Sequence, residues 1–107
     1  MPLPMKPTVL VALLLLAGPA LAQSRPSDAQ LREQFRADFL RGCQSGRTPG
    51  VRNQRNYCSC YANSYLARYN GQTLAAISAQ ANQLGAGGPA LVDLMMAPER
   101  QACAARS

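Results

Sequence analysis

An all-α fold, a small bundle of four to five helices stapled by two disulfides, follows from three features of the sequence. Apolar residues recur at spacings of three and four along most of the chain, and no stretch shows the period-two alternation of a half-buried strand. Clusters rich in Gly, Pro, Asn and Ser separate these runs into lengths typical of short helices. Four cysteines, Cys43, Cys58, Cys60 and Cys103, make an even count in a short chain that opens with an export signal, which implies a disulfide framework.

The export signal comes first. Lys6 precedes the apolar run Val9 to Leu16, Gly18-Pro19 breaks it, and the small residues of Ala20-Leu21-Ala22 mark a cleavage site. A membrane anchor would need about 20 apolar residues, and this run is too short. Residues 1–22 are therefore expected to be a cleaved signal peptide, residues 23–107 a single helical domain, and the mature chain periplasmic or secreted. Folding of so small a domain hides only about 60–65% of its chain surface, so crosslinks matter to its stability.

Pro26 ends a short lead. Ser27 is placed as an N-cap, with Asp28 at the positive end of the first helix and Gln30 where a capping box puts Glu or Gln. Leu31, Phe35, Phe39, Leu40 and Cys43 form its apolar side over about four turns. Gly42 and the stretch Ser45 to Gly50 then end it near Cys43. A second helix is expected from about Asn53 to Tyr69, with Asn70-Gly71 as a left-handed stop. All four tyrosines lie in it, at Tyr57, Tyr61, Tyr65 and Tyr69, each four residues after the last. That spacing makes one slowly drifting stripe. The rings are expected to pack on the first helix with their hydroxyls at the rim, the alternative being an aromatic binding surface.

Thr73 is the expected cap of a third helix whose buried side is Leu74, Ile77, Ala81 and Leu84. The run Gly85 to Pro89 ends it; no strand precedes this glycine cluster and it lacks the order of a phosphate loop. Pro89 then opens a short helix holding Leu91, Val92, Leu94, Met95 and Met96. Pro98 begins a final turn with Glu99 and Cys103.

Cys58 and Cys60 point about 200° apart on a regular helix, so each is expected to reach a different partner. Cys58 falls within the tyrosine stripe facing the first helix, which favours Cys43–Cys58 with Cys60–Cys103. Cys43–Cys60 with Cys58–Cys103 is the other connectivity this geometry leaves open.

The chain has no histidine, which removes Ser-His-Asp and Cys-His catalysis, His-ligated zinc and imidazole acid-base chemistry. The five acids are scattered, and an enzyme is not expected. No cofactor is expected. One alternative uses Cys58, Cys60, Met95 and Met96 as soft ligands for Cu(I), which requires reduced thiols. Beyond the expected signal, ten arginines face five acids, a net charge of +5 that favours a protein partner or an anionic envelope component. Nucleic acid is not expected, because export removes it and the arginines form no dense cluster. The nearest approach to a patch is Arg47, Arg52 and Arg55, with Tyr57 and Tyr61 completing a candidate binding surface.

Phe39-Leu40-Arg41-Gly42-Cys43, then Tyr57-Cys58-Ser59-Cys60-Tyr61, then a leucine-bearing helix and Cys103, resemble a loose group of small exported helical proteins of Gram-negative bacteria. The shared pattern is an early Cys, a YCxC pair and a late Cys. That resemblance implies a helical disulfide-bonded fold and carries no catalytic residues across. The expected role is a non-enzymatic periplasmic protein that binds another macromolecule, as an envelope accessory or inhibitor. Immunity proteins that neutralise secreted cell-wall-degrading toxins share its size and compartment and form a second alternative.

Overall fold

The computed structural model describes residues 25–107. The expected signal peptide lies outside the described residues. Five α-helices and one short 3-10 turn follow in order: α1 Asp28–Gln44, α2 Gln54–Arg68, α3 Gly71–Gln83, the turn Gly85–Gly87, α4 Gly88–Met95 and α5 Ala97–Arg106. No strand occurs among the described residues, so the all-α expectation holds. No described helix is long and apolar enough to cross a membrane.

The start of α1 is fixed locally. Ser27 Oγ accepts from the Gln30 backbone N–H at 3.1 Å, and Gln30 Oε1 accepts from the Ser27 N–H at 2.8 Å, which completes the expected capping box. The helix leads Phe35 and Phe39 onto α2. There the tyrosine stripe supplies the core: Tyr57, Tyr61 and Tyr65 are buried together with Cys58, Leu74, Met96 and Cys103. Phe39 meets Tyr61 edge-on with ring centroids 5.2 Å apart, and Phe35 sits 5.2 Å from Tyr65. Such tilted and edge-to-face geometry suits the ring quadrupoles. With no Trp and only two Phe in the chain, the tyrosines carry the aromatic core.

Helix α2 is the central post. Cys43 at the end of α1 bonds to Cys58, and Cys60 bonds to Cys103 of α5. The Cα atoms of the two pairs are 5.8 and 5.6 Å apart. No free cysteine remains. Of the two open connectivities, the observed one puts Cys58 on the α1-facing stripe. Two disulfides fit an oxidising compartment.

Three local expectations are corrected. Asn70-Gly71 starts a helix instead of stopping one: Tyr69 ends α2 in extended backbone, and the Asn70 side chain caps α3 by accepting from Thr73 N–H at 2.8 Å. Thr73 is therefore inside α3 and Asn70 is its cap. A tertiary contact accompanies this start, since Asp28 Oδ1 accepts from Gly71 N–H at 2.6 Å and places a carboxylate at the positive end of α3. A Cβ on Gly71 would lie 2.5 Å from the Asp28 carbonyl oxygen, so the two helix starts approach as only glycine allows.

The second correction concerns the buried side of α3. Leu74 is buried and Ile77 and Ala81 are partly covered, but Leu84 is exposed. Gly85, at φ +62°, turns the chain away there, and Gly88 then returns it so closely that any Cβ would strike the Ala81 backbone. Third, the expected final turn is a full helix, α5, of ten residues. Within α4 and its end, Val92 and Met96 face inward while Leu91, Leu94 and Met95 face solvent, Leu94 being 72% exposed.

Candidate functional site

The segment between α1 and α2 has few apolar residues to hold it, yet one side chain organises it. Gln54 Nε2 donates to the Cys43 carbonyl oxygen and to Thr48 Oγ1, each at 3.0 Å, while Gln54 Oε1 accepts from Thr48 N–H at 3.0 Å. Val51 N–H closes a turn onto the Thr48 carbonyl at 3.2 Å, with Gly50 at φ +80° within it. Val51 also packs against the core. With Cys43–Cys58 beneath it, the loop is tied at both ends. The Gly46, Thr48 and Val51 N–H groups bond within this segment, so its arginines project from a partly fixed frame.

Arg47, Arg52 and Arg55 are all exposed. Among the described residues the ion pairs are Arg41–Asp38 and Arg68–Glu99, so none of these three arginines is paired with an acid. Arg47 and Arg52 line a cleft of about 620 Å³ with Gln44, Pro49, Val51 and Gln54. Arg55 is outside that lining, in the first turn of α2. That turn holds no acid, although a helix N-terminus attracts negative charge and disfavours positive. Helix dipole and arginines thus both add positive potential around the α1–α2 loop and the start of α2.

Tyr57 and Tyr61, expected as part of the same surface, are instead core residues, because α1 lays Phe35 and Phe39 against the tyrosine stripe. The Tyr61 hydroxyl donates to Asp93 Oδ1 at 2.8 Å, a contact across α2 and α4. Sequence spacing gave no sign of it beyond the rule that a buried phenol needs a partner. Burial pushes the Tyr57, Tyr61 and Tyr65 phenols above the ordinary tyrosine range; Tyr61 moves furthest, helped by the neighbouring Tyr65 hydroxyl and Asp93.

These shifts have a stated sign. A phenol whose folded pKa exceeds the unfolded value of about 10 favours the folded state fully below that pH, and its contribution is lost as pH rises toward the folded value. The urea midpoint is therefore expected to stay flat up to about pH 10 and then fall. Phenolate absorbance of Tyr57, Tyr61 and Tyr65 at alkaline pH is expected to appear together with unfolding. Ionisation of these three near pH 10 with the fold intact would contradict this.

The soft-ligand set is dispersed in the oxidised protein. Cys58 and Cys60 are each committed to a disulfide, Met96 is buried with its sulfur 3.5 Å from Arg68 Nη1, and Met95 is largely exposed. Among the described residues no three His, Cys, Asp or Glu side chains converge as a metal site. Comparison with protein-family models, with characterised proteins and with solved structures finds no match to this chain.

Proposed function

We propose that this chain is a non-enzymatic periplasmic protein that acts by binding an acidic macromolecule through the α1–α2 loop, as an accessory or inhibitor of an envelope protein. The observation that carries the reading is the set Arg47, Arg52 and Arg55: three exposed cations, none paired with an acid, on and beside a loop held by Gln54 and a disulfide. A fixed frame lowers the ordering cost of binding. Arginine suits carboxylate partners through its planar fork of donors.

The test is charge reversal. Wild-type protein immobilised in its oxidised form is expected to retain an acidic periplasmic protein, and raised salt is expected to release it, since screening weakens exposed charge pairs. The triple variant Arg47→Glu, Arg52→Glu, Arg55→Glu is expected to retain none of it while keeping its helical circular dichroism, because all three side chains are exposed. Equal capture by the variant would remove this reading.

A further inference from the structure

A second, larger concavity adjoins the basic loop. It has a volume of about 820 Å³ and draws its lining from all five helices and the α1–α2 loop. Phe35 and Phe39, both partly exposed, give it an aromatic floor with Tyr57 and Tyr61 buried beside them, and α3, α4 and α5 contribute Ser78 and Asn82, Asp93, and Arg100. Gly46, Arg47, Thr48 and Gln54 line both this groove and the loop cleft, so the two are continuous.

The groove lining carries two acids and two arginines, and none of the four forms an ion pair with another of them. Both of its acids are engaged: Asp38 pairs with Arg41, and Asp93 accepts the Tyr61 hydroxyl. Neither of its arginines, Arg47 and Arg100, makes an ion pair among the described residues. Arg100 is partly buried, and its Nε has no hydrogen-bond acceptor. Its guanidinium lies near enough to Tyr57 to oppose the upward push that burial gives that phenol. A buried N–H donor left without an acceptor costs free energy, and an acceptor such as a carboxylate placed against Arg100 Nε offsets that cost.

We infer that the groove is the second half of the docking surface and that its occupant is an extended acidic peptide segment of a partner protein, with carboxylates at Arg47 and Arg100 and an apolar side chain on the aromatic floor. This rests on the proposed binding of an acidic macromolecule by the loop, and it specifies which kind. A polyphosphate or other purely ionic polymer has no apolar area to lay over Phe35 and Phe39, whereas a peptide does. Ser78 and Asn82, both exposed, provide donors and acceptors for its backbone, in keeping with pockets that combine an apolar lining with a few placed polar groups.

The experiment is an NMR titration of the oxidised, isotope-labelled protein with two probes: a peptide of alternating glutamate and leucine, and a glutamate homopolymer of equal charge. The alternating peptide is expected to shift amide signals at Asn82 and Arg100 as well as Arg47 and Arg52, and to bind about tenfold more tightly than the homopolymer. Asn82→Trp, at an exposed position, is expected to fill the groove, abolish that advantage and leave homopolymer binding unchanged. If both probes perturb the loop alone with equal affinity, the groove inference is overturned and the loop reading stands. If neither probe perturbs Arg47, Arg52 or Arg55, the loop reading fails and the groove inference falls with it.

Discussion

Replacing Cys60 and Cys103 together by alanine is expected to lower the unfolding free energy by about 4 kcal/mol, and replacing Cys43 and Cys58 by about 3 kcal/mol. The difference comes from loop length: the first bond closes a separation of 43 residues and the second one of 15. Longer closed loops remove more freedom from the unfolded chain. Small domains have about 5–15 kcal/mol in total, so loss of both bonds brings this one to the edge of folding. Alanine is the right replacement, because Cys58 and Cys103 are 0% and 1% exposed and serine would bury a hydroxyl. Urea midpoints of the two pair variants against wild type, all without reductant, are the measurement. Midpoints equal to wild type in both would show that the crosslinks are not what holds α1 and α5 to α2.

Tyr65→Ala is expected to cost about 3–5 kcal/mol, as much as either disulfide. Tyr65 is 2% exposed, and its ring centroid lies 5.2, 5.3 and 5.1 Å from those of Phe35, Phe39 and Tyr61. It contacts both α1 aromatics, whereas Tyr61 meets Phe39. Its removal leaves a cavity that α1 cannot collapse into, since Cys43–Cys58 and the contact of Asp28 with Gly71 fix both ends of that helix. Tyr65→Phe keeps the ring and loses only a hydroxyl, so a cost of about 1 kcal/mol is expected. Thermal melts of the two variants separate packing from hydrogen bonding. Equal, small losses would mean that the stripe is not the core.

What was legible in the sequence was local. The Ser27 cap, the tyrosine period and the opposed directions of Cys58 and Cys60 each depend on a few neighbouring residues, and each led to the observed structure. The pairing of Cys43 with Cys58 followed once the stripe was taken to face α1. Asn70-Gly71 was misread because this dipeptide suits a helix stop and a helix start equally. The Asp28 carboxylate, 43 residues away, bonds Gly71 N–H at the start of α3. Leu84 was expected inside because its period continues that of α3, but exposure there follows from where Gly85 turns the chain and how closely Gly88 approaches Ala81.

The candidate site divides in the same way. Arg47, Arg52 and Arg55 were visible as neighbours in sequence and are exposed, with Arg47 and Arg52 lining one cleft. Tyr57 and Tyr61 could be placed on a helix face, but whether that face meets solvent depends on Phe35 and Phe39 arriving from another helix. The groove was not legible, because its lining is gathered from five helices and no local spacing encodes it. Gln54 gave no signal either; a lone glutamine after a cap residue is ordinary until its three hydrogen bonds are seen.

The central claim is that α2 is a tyrosine-lined post crosslinked on one face to α1 and on the other to α5. Disulfide mapping of the native protein tests it most directly. Only Ser59 separates Cys58 from Cys60, so the map needs partial reduction with stepwise alkylation before mass spectrometry. The account predicts Cys43 joined to Cys58 and Cys60 joined to Cys103, with no free thiol. A Cys58–Cys60 bond, a Cys43–Cys60 bond or four unpaired thiols would contradict it.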